Sequence, residues 1–196
     1  MNVAESPRGF TFIELLVALA IGTLLLVLGL PSFNEFLRNS EIRSTTESVV
    51  NGLRLARTEA VSRNLPVTFT LVSGGPGWAV DQINAPCPAT NIQTYWKAEG
   101  GTNTALAGVS PAAAVSVTFD GTGRIIATPT AAATCTAAAT PNLARFDICS
   151  AIAAGSRTLR VVLPIDGGTQ GIRVCDPRLT AADNPRGCGD AIAAAC

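Results

Sequence analysis

The side chains of this 196-residue chain that could carry out chemistry are few, and one type is missing: there is no histidine. Histidine is the usual proton shuttle near neutral pH and the commonest metal ligand, so neither a Ser-His-Asp nor a Cys-His site can be assembled. What remains is six cysteines, Cys87, Cys135, Cys149, Cys175, Cys188 and Cys196, and one carboxylate in an unusual place. The cysteines contain no C-x-x-C pair, which argues against zinc and against a thioredoxin-like redox centre. An even number, all downstream of a long apolar run, points instead to disulfides made in an oxidising compartment. Cys175 and Cys188 enclose the turn-rich segment "CDPRLTAADNPRGC", whose closure contributes about 3 kcal/mol on the loop-entropy account. Cys196 would pin the segment that carries it. Six cysteines can pair in many ways, and the sequence selects none of them. No cofactor or metal is implied.

The carboxylate is Glu14, in "RGFTFIELLVALAIGTLLLVLGLPSF". It is the only ionisable side chain among the 21 positions from Phe10 to Leu30. As an α-helix that run spans about 30 Å, the thickness of a bilayer's hydrocarbon core. A secretory signal peptide would have a shorter apolar stretch and a small-x-small cleavage site after it; here Pro31, Ser32 and Phe33 follow. A plain transmembrane anchor fits the length but leaves Glu14 unexplained, since a charge costs about 2.5–3.5 kcal/mol at the bilayer centre and less near an end. A Glu14 that stays solvated at the interface and has no role is the plain alternative.

The segment "RGFTFIELLVALAI" resembles the leader and mature start of the type IV pilin superfamily, in which a prepilin peptidase cuts after a glycine and methylates the new N-terminus. The resemblance makes Gly9 the last leader residue and Phe10 the first mature, N-methylated one. It places Glu14 where that family carries its glutamate and Pro31 where many members carry a helix-disturbing proline. It also implies a role for the carboxylate: after cleavage the Phe10 amine is a positive charge at the edge of an apolar zone, and Glu14 of a neighbouring subunit would neutralise it as helices stack. Buried ion pairs set register better than they add stability. Glu14 is then an assembly residue.

Such a helix needs a partner structure downstream. From Pro31 onward Phe33, Phe36, Leu37, Ile42, Val49, Val50, Leu53, Ala56, Ala60 and Val61 recur largely at spacings of three and four, with charges between them, the period of an amphipathic helix. Pro31 predicts a kink or short melted stretch near Gly29 and Leu30, and Pro66 ends the helix around Asn64. A helix from Phe10 to Asn64 would be roughly 80 Å long. After it come short strand-like runs: "PVTFTLV", "GWAVDQI", "IQTYWK", "VSVTFD", "RFDIC", "TLRVVL" and "GIRVC". "GVSPAAAVS" and "TPTAAATCTAAATP" read as surface loops. If "TLRVVL" lies between "RFDIC" and "GIRVC", the outer strands are about 9.6 Å apart, and a Cys149–Cys175 bridge would need both residues at fraying strand ends.

The expected class is α+β, a long helix covering an antiparallel sheet array. The expected divisions are a leader over 1–9, a transmembrane and assembly half-helix over 10–30, an amphipathic half-helix over 31–64 and a β-rich head over 65–196. Apolar residues at 47% suffice for one core, and fourteen basic residues balance fourteen acidic ones, so no net charge calls for nucleic acid or an anionic membrane surface.

"LRLARTEAVSRNLPVTF", a following "GW" strand, "VTFDGTGR" and "TLRVVL…GIRVC" together are similar to the GspH/FimT/FimU group of minor pilins and pseudopilins. That similarity implies a pilin-like subunit, not an enzyme, held in the bacterial inner membrane with its head in the periplasm before it joins a fibre. Its partners would be other minor pilins, the major pilin and the prepilin peptidase. It implies a minor type IV pilin that primes assembly at the fibre tip; a pseudopilin of type II secretion and a DNA-binding tip subunit are the alternatives. FimT-type DNA receptors carry G-R-x-R in the last strand, whereas here Ile172 stands where the first arginine would be and only Arg173 remains. From Asn142 onward six arginines face five aspartates, too even a balance for phosphate binding. DNA contact would fall to Arg157, Arg160 and Arg173 if they shared one face.

Overall fold

The computed structural model of the chain describes residues 9–72, 75–83, 89–99, 101–112, 114–126, 141–152, 157–164, 171–179 and 184–188. The expected leader up to Arg8, Cys87, Cys135, Cys196 and almost all of "TPTAAATCTAAATP" lie outside the described residues.

Among the described residues one α-helix, α1 (Phe12–Arg63), is followed by nine strands. The helix is assigned without a break through Gly29, Leu30 and Pro31, so the melted stretch expected there is absent. Proline deletes one N–H···O bond, and the leucine-rich turns on the N-terminal side have strong helix propensity. The C-terminus is sharper. Asn64 takes a left-handed conformation at φ 51°, its N–H reaches the Val61 carbonyl, and the Leu65 N–H reaches the Ala60 carbonyl, both at 3.3 Å. These two bonds satisfy carbonyls that the last helical turn leaves open.

The chain forms two compact units, the first ending at Leu37 and the second beginning at Arg38. Phe33, Phe36 and Leu37, read above as part of the amphipathic stripe, are exposed. In the second unit the stripe is real: Ile42, Thr45, Val49, Val50, Leu53, Ala56 and Ala60 are buried at spacings of three and four, and they meet two antiparallel sheets.

The first sheet has the order β3-β2-β1-β5-β6, built from β1 (Val67–Leu71), β2 (Trp78–Gln82), β3 (Thr90–Tyr95), β5 (Ser116–Phe119) and β6 (Ile125–Ile126). The second has the order β4-β7-β8-β9, from β4 (Thr104–Ser110), β7 (Arg145–Ser150), β8 (Leu159–Val162) and β9 (Arg173–Cys175). Strand alternation sends Val67, Phe69 and Leu71 inward from β1, and Phe146 and Ile148 inward from β7.

Two strands escape the sequence reading. β6 has only two residues, and β4 takes in Gly108 to Ser110, assigned above to a loop. The residues of β4 are poor strand formers, and its register against β7 shifts between Ala107 and Ser110, where Gly108 takes φ 55°. Only glycine adopts that φ at no cost, so the bulge needs it.

Aromatic residues are scarce, and three of them stack in one column. Phe69 and Trp78 have ring centroids 6.0 Å apart, Trp78 and Tyr95 5.8 Å. The Trp78 indole N–H donates to Ser48 Oγ on the helix at 3.2 Å, and its ring lies against Gly52, where a Cβ would be 2.7 Å from Cδ2. A rigid indole on this column cannot withdraw easily. Gly52→Ala is therefore expected to destabilise the fold by about 1–3 kcal/mol from overpacking, offset by at most about 1 kcal/mol of helix propensity. Thermal melting of the full-length protein in detergent checks this, and a rise in melting temperature would contradict the contact.

Candidate assembly site

From Phe10 to Leu30 every residue is exposed except half-buried Gly22. Fourteen of them are large and apolar. Leaving them in water forgoes about 1.5–3 kcal/mol each, a total that exceeds the net stability of an ordinary domain, about 5–15 kcal/mol. The segment is long and apolar enough to cross a membrane.

Glu14 sits at the head of this segment and has local work to do. α1 begins at Phe12, so Thr11 is its N-cap and Glu14 stands three positions beyond it. The Thr11 N–H donates to Glu14 Oε2 at 3.3 Å, and the Glu14 N–H donates to Thr11 Oγ1 at 3.4 Å. That is a reciprocal capping box, which satisfies two open donors of the first turn and sets an acid at the positive end of the helix. The T-x-x-E spacing was present in "TFIE" as a sequence signal. A shallow groove of about 540 Å³ runs from Phe10 and Glu14 past Ala18 and Gly22 to Leu26. Glu14, Ala18 and Gly22 are four residues apart, hence on one face of the helix.

The head carries the other sequence-selected residues. Cys175 and Cys188 are joined, their Cα atoms 5.0 Å apart. "TLRVVL" does lie between the strands of Cys149 and Cys175, so a bridge between those two is not made. Cys149 is also disulfide-bonded, to a partner other than Cys175 and Cys188, which are joined to each other. Among the described residues no three Cys, Asp or Glu converge as a metal site.

The three arginines do not form one exposed face. Arg160 is buried at 4% exposure and makes two bonds to fully buried Asp147, Nε to Oδ1 at 2.7 Å and Nη2 to Oδ2 at 2.9 Å. β7 and β8 place the two residues directly opposite each other, which makes the bidentate fork possible. Arg157 lies beside Asp176 at 3.4 Å, and Arg173 is exposed on β9. Alternation in "TLRVVL" gave no sign that Arg160 would be sequestered, because its partner is distant in sequence. Elsewhere Asp120 accepts bonds from the hydroxyl and N–H of Thr122 and from the Arg124 N–H. The Thr122 hydroxyl first, then the Arg124 N–H, lower its pKa below the usual carboxylate value, a turn-stabilising arrangement.

The sequence model described as Type II transport protein GspH matches residues 45–167, well over half of the chain. This chain belongs to the GspH family. The prokaryotic N-terminal methylation motif matches residues 6–30, which covers Gly9, Phe10 and Glu14. No curated protein matches the chain. Among solved structures the fold is similar to the type IV minor pilin FimU of Pseudomonas aeruginosa, at 17% identity over 72% of this chain and 91% of that one, with a TM-score of 0.45. It is also similar to the minor pseudopilin EpsH of the type 2 secretion system of Vibrio cholerae, at 13% identity over 70% and 98%, with a TM-score of 0.45.

A GspH-family chain with an N-methylation motif is a minor pilin or pseudopilin of a type IV pilus or a type II secretion system. The family is one of structural pilins rather than enzymes, and its members are components of pilus or pseudopilus assemblies. The buried pair inside the head of this GspH-family chain gives a stability test. Asp147→Ala removes the carboxylate that neutralises the buried Arg160 guanidinium and should cost about 3–5 kcal/mol, whereas Arg173→Ala on the surface should change stability by less than about 0.5 kcal/mol. Chemical denaturation of the two variants in detergent checks the contrast, and equal losses would contradict it.

Proposed function

We propose that this chain is a minor type IV pilin that helps to prime fibre assembly, entering the fibre through Phe10–Leu30 with its head at or near the tip. The observation that carries this reading is the exposed apolar half-helix headed by a single carboxylate. No other part of the described chain covers it, and lipid first and then the helices of other subunits would do so. The groove past Ala18 and Gly22 suits close approach of a neighbouring helix, since small residues let backbones meet. The prepilin peptidase would cleave between Gly9 and Phe10 and methylate Phe10. Glu14 would then exchange its bond to its own Thr11 for the cationic amine of a neighbour's Phe10, trading a neutral donor for a charged one. Pro31 would mark where the membrane half ends.

The pilus reading rests on the resemblance to the GspH/FimT/FimU group, to which Arg54 to Arg63 contributes most. The family description, a type II transport protein, favours the second reading, a pseudopilin of type II secretion. DNA uptake is not favoured, because Arg160 is spent on Asp147. Deleting the gene separates the first two: lost surface pili and twitching with normal exoprotein secretion supports the pilus, and the opposite pattern supports secretion. Mass spectrometry of the mature protein is expected to find N-methylphenylalanine at Phe10; a retained leader would overturn both.

A further inference from the structure

In the head, between the outward face of α1 and the strands β8 and β9, lies a cleft of about 670 Å³ that entry through the apolar helix does not use. Arg43 and Arg54 from the helix and Arg157 and Arg186 from the opposite side line it, together with Glu47 and Asp176. Among the described lining residues, four cations thus meet two carboxylates. Both carboxylates are engaged, Glu47 with Arg43 at 3.0 Å and Asp176 with Arg157 at 3.4 Å. Arg54 and Arg186 are exposed and carry the surplus charge.

Two further features shape what could sit there. The side-chain oxygen of Asn39, which also lines the cleft, is buried with no hydrogen-bond donor among the described residues. Such an acceptor costs about 1–3 kcal/mol while it stays unmet, so an occupant that brings an N–H relieves it. Val50, Leu159 and Val174 add apolar surface to the lining, beside Thr46 and Asn51. Asn39 and Arg54 are fifteen residues apart, about 22 Å along a helix, which matches an extended chain of six or seven residues at about 3.3 Å each.

We infer that this cleft receives a short, extended acidic segment of a partner subunit. A peptide supplies carboxylates for Arg54 and Arg186, a backbone N–H for Asn39 and apolar contact for Val174. A nucleic acid fits less well, because phosphates need an unbroken cationic track and Glu47 and Asp176 interrupt this one. The inference rests on the assembly-subunit reading for the identity of the partner, but the binding itself is measured on the isolated chain and does not depend on fibre entry.

The test uses a fluorescein-labelled hexapeptide of alternating Asp and Glu, titrated by anisotropy against the full-length protein in detergent at low ionic strength. Saturable binding is expected. The double variant R54A/R186A should weaken it roughly five- to tenfold, as the loss of two partly exposed ion pairs implies. E47Q, which removes a cleft carboxylate, should tighten it, a gain that misfolding cannot mimic. Arg124→Ala, outside the cleft, should leave it unchanged. No binding, equal weakening by Arg124→Ala, no gain from E47Q, or tighter binding of a DNA oligonucleotide of equal charge would each overturn the inference.

Discussion

The constraint on which everything else depends is the uncovered surface of the first half of α1. A run of leucine, isoleucine, valine and phenylalanine that no other part of the described chain covers must find apolar surroundings elsewhere. A bilayer supplies them, and so does a bundle of like helices. A segment that suits both can move from one to the other with little change in its hydrophobic contacts, because lipid tails and leucine side chains are about equally apolar. Direction and register must then come from the few polar groups, and between Phe10 and Leu30 only one of these is ionisable.

The head solves a different problem, holding the second half of the helix firmly. It does so with small and aliphatic residues at helical spacing, a column of three aromatics against Gly52, and two sheets whose inner faces share the core. Its polar interior is economical: Arg160 and Asp147 neutralise each other in a bidentate pair, and breaking such a pair costs more than making it gains. The Cys175–Cys188 bridge then ties down a turn-rich loop that has few apolar residues to hold it. The same loop forms one wall of the arginine-lined cleft, through Asp176 and Arg186.

How much of this could be read from the sequence varies with the range of the interactions. The helix, its end near Asn64 and seven of the strand runs were legible, because apolar period and turn residues are local signals. β4 was not, since alanine and glycine become strand only through pairing with β7, and β6 was too short to show. The melted stretch expected near Gly29 and Leu30 is absent, as one missing N–H is a small loss within strong helical neighbours. At the site, Glu14 stood out by charge alone, while its bond to Thr11 is signalled only by the T-x-x-E spacing. Arg160 was misplaced on a surface because its partner, Asp147, is brought opposite by strand pairing that no spacing discloses.

Glu14 thus has two possible employments, a cap for its own helix and a counter-charge for the processed amine of a neighbour. They can be told apart because glutamine still serves in a capping box but carries no charge. The decisive measurement is the amount of Glu14→Gln protein recovered in sheared surface fibres beside the native chain, normalised to the membrane pool. The account predicts that the variant is made and anchored but largely absent from fibres. Recovery equal to the native chain would contradict it and leave Glu14 as a helix cap alone.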